Sequence, residues 1–128
     1  MTIVPSLVHV NMPFNHPLRV LFFRTEGGNE PVREWLRNLP KDERTLIGED
    51  LKKLQFRWPL SMPLVRYLEA NIYEVRTHLP NRIARTLFFV HEASLVMLCG
   101  FIKKTRKTPD NELNLAKKRM RDFLSDHA

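Results

Sequence analysis

The stretch IYEVRTHLPNRIARTLFFVHEASLVMLCGFI, residues 72–102, decides the fold. It holds three runs rich in apolar, β-branched and aromatic residues: Ile72–His78, Ile83–Val90 and Leu95–Ile102. Such runs read as strands, and the connectors between them, Leu79-Pro80-Asn81 and His91-Glu92-Ala93-Ser94, have hairpin lengths. Consecutive strands on short turns pair antiparallel. The expected sheet therefore has three strands, or four if Leu64–Leu68 joins it.

Working outward, WPLSMPL at 58–64 reads as a loop, because Trp58-Pro59 ends whatever helix precedes it. That helix is expected from Lys41 to about Phe56, with Leu46, Ile47, Leu51 and Leu54 inward. Pro40 separates it from a shorter helix whose Val32, Trp35, Leu36 and Leu39 fall at i, i+3, i+4 and i+7. Asn29 is the expected N-cap, with Glu30 and Pro31 in the first turn. The two helices form a hairpin. Before them, LRVLFFR at 18–24 reads as a strand buried on both faces, closed by Gly27-Gly28. Beyond the sheet, Pro109 and Asp110 open a last helix with Leu113, Ala116, Met120 and Phe123 on one face. The order β-α-α-β-β-β-α, with the helical hairpin on one face of the sheet, makes the class α+β.

With 128 residues, 43% hydrophobic and 27% charged, the chain suits one soluble domain, expected over residues 18–128. No apolar run approaches the roughly 20 residues that span a bilayer. Residues 1–17 contain three prolines and no Lys or Arg, unlike a signal peptide. They are expected to be an extension, flexible or laid on the body of a cytoplasmic protein without membrane partners. The single cysteine, Cys99, excludes an intrachain disulfide and a Cys-rich zinc site, and its apolar surroundings predict a buried thiol. The five histidines show no HExxH spacing, so neither a metal nor another cofactor is expected.

Charge is unevenly placed. Of a net +7, residues 72–109 carry +5, with seven bases and two acids. That concentration favours a polyanionic partner, the alternative being a solvated basic face. Alternation puts Ile72, Glu74, Arg76 and His78 on one face of their strand and Tyr73, Val75 and Thr77 on the other. Arg85 stands among apolar neighbours on the next strand. Two mid-strand arginines predict a partly exposed, positive sheet face, unless they pair with Glu74 or Glu92. In GFIKKTRKTP, residues 100–109, Lys103, Lys104, Arg106 and Lys107 crowd five positions. Phe101 offers a ring for a base to stack on, or is simply core. His78, beyond Arg76 on the same face, is the one histidine to consider for proton transfer, the alternative being an ordinary strand-end histidine.

IYEVR at 72–76, IARTLFF at 83–89 and LCGFIKKTRKTPDNELNLAKKR at 98–119 resemble the phage-derived, HigB-like branch of the RelE/ParE toxin superfamily. The likeness follows the element order from Leu18 to Leu124 and is sharp over 72–119. It implies a RelE-like fold and a type II toxin that cuts mRNA in the ribosomal A site without metal. By that resemblance Arg76 stabilises the transition-state phosphate and Arg85 has a supporting phosphate or structural role. One of Lys103 and Lys104 acts as acid or charge stabiliser, and Phe101 lines the pocket. Arg82, His78, Arg106 and Lys107 would join in RNA binding. The implied partners are the ribosome, mRNA and a cognate antitoxin, a small helix-turn-helix protein. The chain departs from RelE-type enzymes in having no tyrosine after Tyr73. The same superfamily implies two alternatives: a gyrase-directed ParE-like toxin, and a catalytically inactive relative that acts as an antitoxin-bound protein.

Overall fold

A computed structural model describes residues 17–127, so residues 1–16 of the expected extension lie outside the described part. The elements are β1 (Arg19–Phe22), α1 (Pro31–Arg37), α2 (Lys41–Arg57), β2 (Val65–Glu69), β3 (Ile72–His78), β4 (Ile83–His91), β5 (Ser94–Ile102) and α3 (Asp110–Asp126). The class is α+β, in the order the sequence predicts. Prolines start the helices: Pro31 opens α1, and Pro40 and Pro109 are the N-cap residues of α2 and α3. The α1 cap is Glu30 and not Asn29, whose N–H instead donates to Thr25 Oγ1 at 3.1 Å.

The sheet has five strands in the order β1-β5-β4-β3-β2. β2 to β5 form the expected antiparallel meander, with β2 joining as its fourth strand. β1 adds a fifth and makes the sheet mixed, because it pairs parallel with β5, Arg19 opposite Ser94 through Phe22 opposite Met97. The expectation that this strand is buried on both faces is corrected. β1 is an edge strand with Arg19 exposed and Val20 to Phe22 half-buried. A helical connection separates it from the meander, which is the kind of link that lets a strand return in parallel.

Side chains alternate into two cores. On one face Val65, Val75, Ala84, Phe88, Leu95 and Met97 pack under Val32 of α1 and Ile47, Leu51 and Leu54 of α2. On the other, Ile72, Leu87, Phe89, Val96, Leu98 and Cys99 pack under Ala116 and Phe123 of α3. Each fully buried aliphatic or aromatic side chain stabilises this arrangement by about 1.5–3 kcal/mol.

α1 approaches β5 most closely through Trp35. The indole of Trp35 lies so close over Gly100 that a Cβ there would fall among its ring atoms. Backbone conformation does not require glycine at 100, and the ring does. Gly100→Ala is expected to destabilise the fold by about 1–3 kcal/mol, the usual cost of overpacking. Urea unfolding followed by tryptophan fluorescence measures this. An unchanged midpoint would show that the indole swings aside without cost.

Candidate nucleic-acid interface

The α3-side face carries a polar end built from cross-strand rows. Arg76 on β3, Arg85 on β4 and Phe101 on β5 are direct register partners, so their side chains leave one face side by side. In the next row His78 stands opposite Ile83, whose carbonyl accepts the Lys103 N–H at 2.8 Å. In the row on the other side Arg66 of β2 faces Glu74, and Glu74 faces Leu87. The apolar rows beyond, with Phe89 and Leu98, pack beneath α3.

Burial separates the two central arginines. Arg85 is 1% exposed. Its Nη2 donates to the Arg106 carbonyl at 2.8 Å, and its Nη1 lies 3.7 Å from Glu74 Oε2. Glu74 is wholly buried, and the same Oε2 accepts the Thr108 hydroxyl at 2.7 Å. The expected exposed role for Arg85 is therefore corrected: it is the buried partner of Glu74. β4 is the middle strand of five, and the loop from Lys103 to Pro109 is tied over it. Burial holds the Arg85 guanidinium below its ordinary pKa; Glu74 opposes this, while nearby Arg76 and Arg66 add to it.

Arg76 is half-buried. β2 pairs with β3 only as far as Val65 opposite Val75, so Arg76 lies just past the end of that ladder. Its backbone N–H donates to the Leu64 carbonyl at 2.9 Å, and its Nε is buried without a protein partner. Phe101 is also half-buried and packs against the α3-side core, so it is both wall and row member. His78 is exposed at the end of β3.

The basic loop is half-buried at Lys103 and exposed at Lys104, Arg106 and Lys107. Lys107 lies 3.4 Å from Asp110, but both side chains are about four-fifths exposed, 82% and 78%, so the pair contributes little. Arg82 is not part of the group. Its Nε and Nη2 donate to the Glu43 carboxylate on α2 at 3.0 and 2.6 Å. These hydrogen bonds hold Glu43 below the usual carboxylate range and raise Arg82. The structure thus gathers Arg76, Arg85, Phe101, His78 and Lys103 at one end of the sheet, hangs Lys104, Arg106 and Lys107 beside them, and commits Arg82, in the turn between β3 and β4, to Glu43 of α2.

Three members were not singled out from sequence as site residues. Glu74 entered only as a pairing option. Arg66 was readable once Leu64–Leu68 is paired across the turn with β3. Thr108 stands in the KTP run of the stretch that carries the family resemblance, but nothing in its spacing points to Glu74. Among the described residues no three His, Cys, Asp or Glu side chains are grouped to hold a metal ion, and no helix is long and apolar enough to cross a membrane. Cys99 is buried, and burial pushes its thiol up to about 11, with the Arg119 guanidinium opposing.

Residues 34–121 match a family model described as phage derived protein Gp49-like (DUF891). The match spans from α1 into α3 and contains every residue of the patch. The family is associated with toxins of the RelE/HigB type. A search of curated proteins finds no match.

Two outcomes test this geometry. Arg85→Met leaves Glu74 buried without its cation and is expected to cost about 3–5 kcal/mol in urea unfolding. Adding Glu74→Gln, which keeps an acceptor for Thr108, is expected to recover most of that loss. A single-variant cost under about 1 kcal/mol would show that the pair is not the anchor. Arg82→Ala is expected to lower the unfolding midpoint at neutral pH. Because Glu43 has a depressed pKa when folded, its contribution is present above the unfolded carboxyl pKa and is lost as pH falls through the folded one. The difference between wild type and Arg82→Ala should therefore vanish in acid, below the usual carboxylate range. A difference that persists there would assign Arg82 another role.

Proposed function

This chain belongs to the phage-derived Gp49-like family, and on that premise we propose that it is the toxin of a toxin–antitoxin pair, a ribosome-dependent endoribonuclease that cuts mRNA. The observation that carries the reading is the row of Arg76, Arg85 and Phe101 with Lys103 and the basic loop beside it. A cation, a ring and further cations along one sheet end suit a single-stranded RNA: phosphate on the charges, base on the ring.

The reaction follows from these groups. The ribose 2′-OH attacks the adjacent phosphorus, a 2′,3′-cyclic phosphate forms, and the 5′-oxygen leaves with a proton. Charge accumulates on the phosphorane oxygens, and Arg76 meets it with a guanidinium already placed by the sheet. Arg85, wholly covered, acts through its field and through the loop it holds, not by contact. One of Lys103 and Lys104 neutralises or protonates the leaving oxygen. His78, exposed beside Arg76 on the same strand face, is the group placed to receive the 2′-OH proton. The antitoxin, a small helix-turn-helix protein in this reading, lays an acidic segment over the same loop, since complementary charge steers such association.

Arg76→Ala is expected to lower mRNA cleavage in a translation extract by about 10²–10³-fold, the cost of removing one transition-state donor. Folding should persist, because Arg76 is half-buried and past the β2 ladder. Normal cleavage by Arg76→Ala would remove this residue from the mechanism. Absence of cleavage by the wild-type protein, together with inhibition of DNA supercoiling, would replace the reading with a gyrase-directed toxin.

A further inference from the structure

Four cations within five positions repel one another; the Thr105 hydroxyl donates to the Lys107 carbonyl at 2.7 Å and so shapes the loop from Lys103 to Lys107, but it does not tie the loop to a sheet already carrying Arg76 and Arg85. It is held at three points. At its start the Lys103 N–H donates to the Ile83 carbonyl at 2.8 Å. In the middle the Arg106 carbonyl accepts from Arg85 at 2.8 Å. At its end the Thr108 hydroxyl donates to Glu74 at 2.7 Å. The first two use the loop's backbone. The third is the tether that a loop side chain supplies, and it is buried, with Thr108 only 5% exposed. Thr108 also immediately precedes Pro109, the N-cap residue of α3, so the tether sits where the loop meets the helix.

We propose that Thr108 is a positioning residue for the RNA site: its hydrogen bond to buried Glu74 sets the pose of the Lys103–Lys107 loop against Arg76 and Phe101. The inference rests on the endoribonuclease reading only where cleavage is measured. Its chemistry is specific. A threonine hydroxyl donates to a carboxylate that has no access to water, and without that donor Oε2 keeps only a guanidinium at 3.7 Å while Oε1 already lacks a protein partner. Thr108→Val preserves shape and volume but removes the donor. Thr108→Ser restores the donor and removes a methyl group.

The loop supplies its own reporter, because Lys103, Lys104, Arg106 and Lys107 are all trypsin sites. Thr108→Val is expected to speed tryptic nicking at these residues in the folded protein by about 10- to 100-fold, the range that loss of one hydrogen bond to a charged group permits. Thr108→Ser is expected to nick at close to the wild-type rate. On programmed ribosomes Thr108→Val is expected to lower the cleavage rate at saturation by a similar factor. Lys103→Ala should then cost less in the Thr108→Val background than in wild type, because the lysine is already misplaced. Equal nicking rates for wild type and Thr108→Val would overturn the proposal. So would a Thr108→Ser variant as sensitive as Thr108→Val, since shape and not the hydrogen bond would then hold the loop. Strict additivity with Lys103→Ala would also overturn it. If wild type cuts no mRNA while the nicking pattern holds, the endoribonuclease reading fails and the tether stands.

Discussion

A carboxylate and a guanidinium buried together, Glu74 and Arg85, are the constraint on which the geometry of the polar sheet end depends. Either group alone would be costly at that depth, and apolar side chains of similar size would be as stable or more so. Sheet stability therefore does not explain the pair. What it does is present hydrogen-bonding capacity to the middle and the end of the loop that leaves β5. Arg85 takes the Arg106 carbonyl, and Glu74 takes the Thr108 hydroxyl. Polar atoms inside the domain hold a positive loop on its outside.

The two row arginines show how position in a sheet decides what a cation can do. They differ by one strand and share one register level. Arg85 sits on the middle strand, with neighbours on both sides and a loop above, so it is desolvated and needs Glu74. Arg76 sits where β2 has run out, so its backbone N–H is met by the Leu64 carbonyl and its flank opens onto a cavity lined also by Pro63 and by Glu49 and Asp50 of α2. The same side chain is structural in one place and available to a ligand in the other. Arg85 reaches the surface only through the loop whose Arg106 carbonyl it holds.

Most of the element order was legible because apolar period and punctuation agreed: the hairpin-length connectors, Pro31, Pro40 and Pro109, and the Leu113, Ala116, Met120, Phe123 stripe. The face assignment of Glu74, Arg76 and His78 followed from alternation alone. Less legible were features that depend on which segments meet. LRVLFFR looks like an inner strand because five of its seven residues are apolar, yet β1 pairs with β5 alone and stands at the edge of the sheet with Arg19 exposed. Arg85 could be read as exposed or paired, and only the loop above it decides. Arg82 counted toward the basic segment, but its partner Glu43 lies 39 positions away on α2. Thr108 lies in the stretch that resembles the family, yet no periodicity ties it to Glu74, 34 positions earlier.

These pairings sharpen the charge argument. The segment 72–109 holds seven bases and two acids, but they do not neutralise each other evenly. Glu74 is committed to Arg85, and Arg82 is neutralised by an acid from outside the segment. Glu92 lies in the turn at the far end of β4, seven residues from Arg85, or about 23 Å of extended strand. That distance exceeds the roughly 8 Å over which charges act in physiological salt, so Glu92 does not screen the site. Arg76, Lys103, Lys104, Arg106 and Lys107 are left, all at the end of the sheet where β3 finishes and β5 leaves it. The local field there is that of the segment's whole net charge, +5, gathered at one end, with Glu49 and Asp50 of α2 lining the same cavity as Arg76 and His78. It stands over a ring and over a buried cation, and a solvated basic face would need neither.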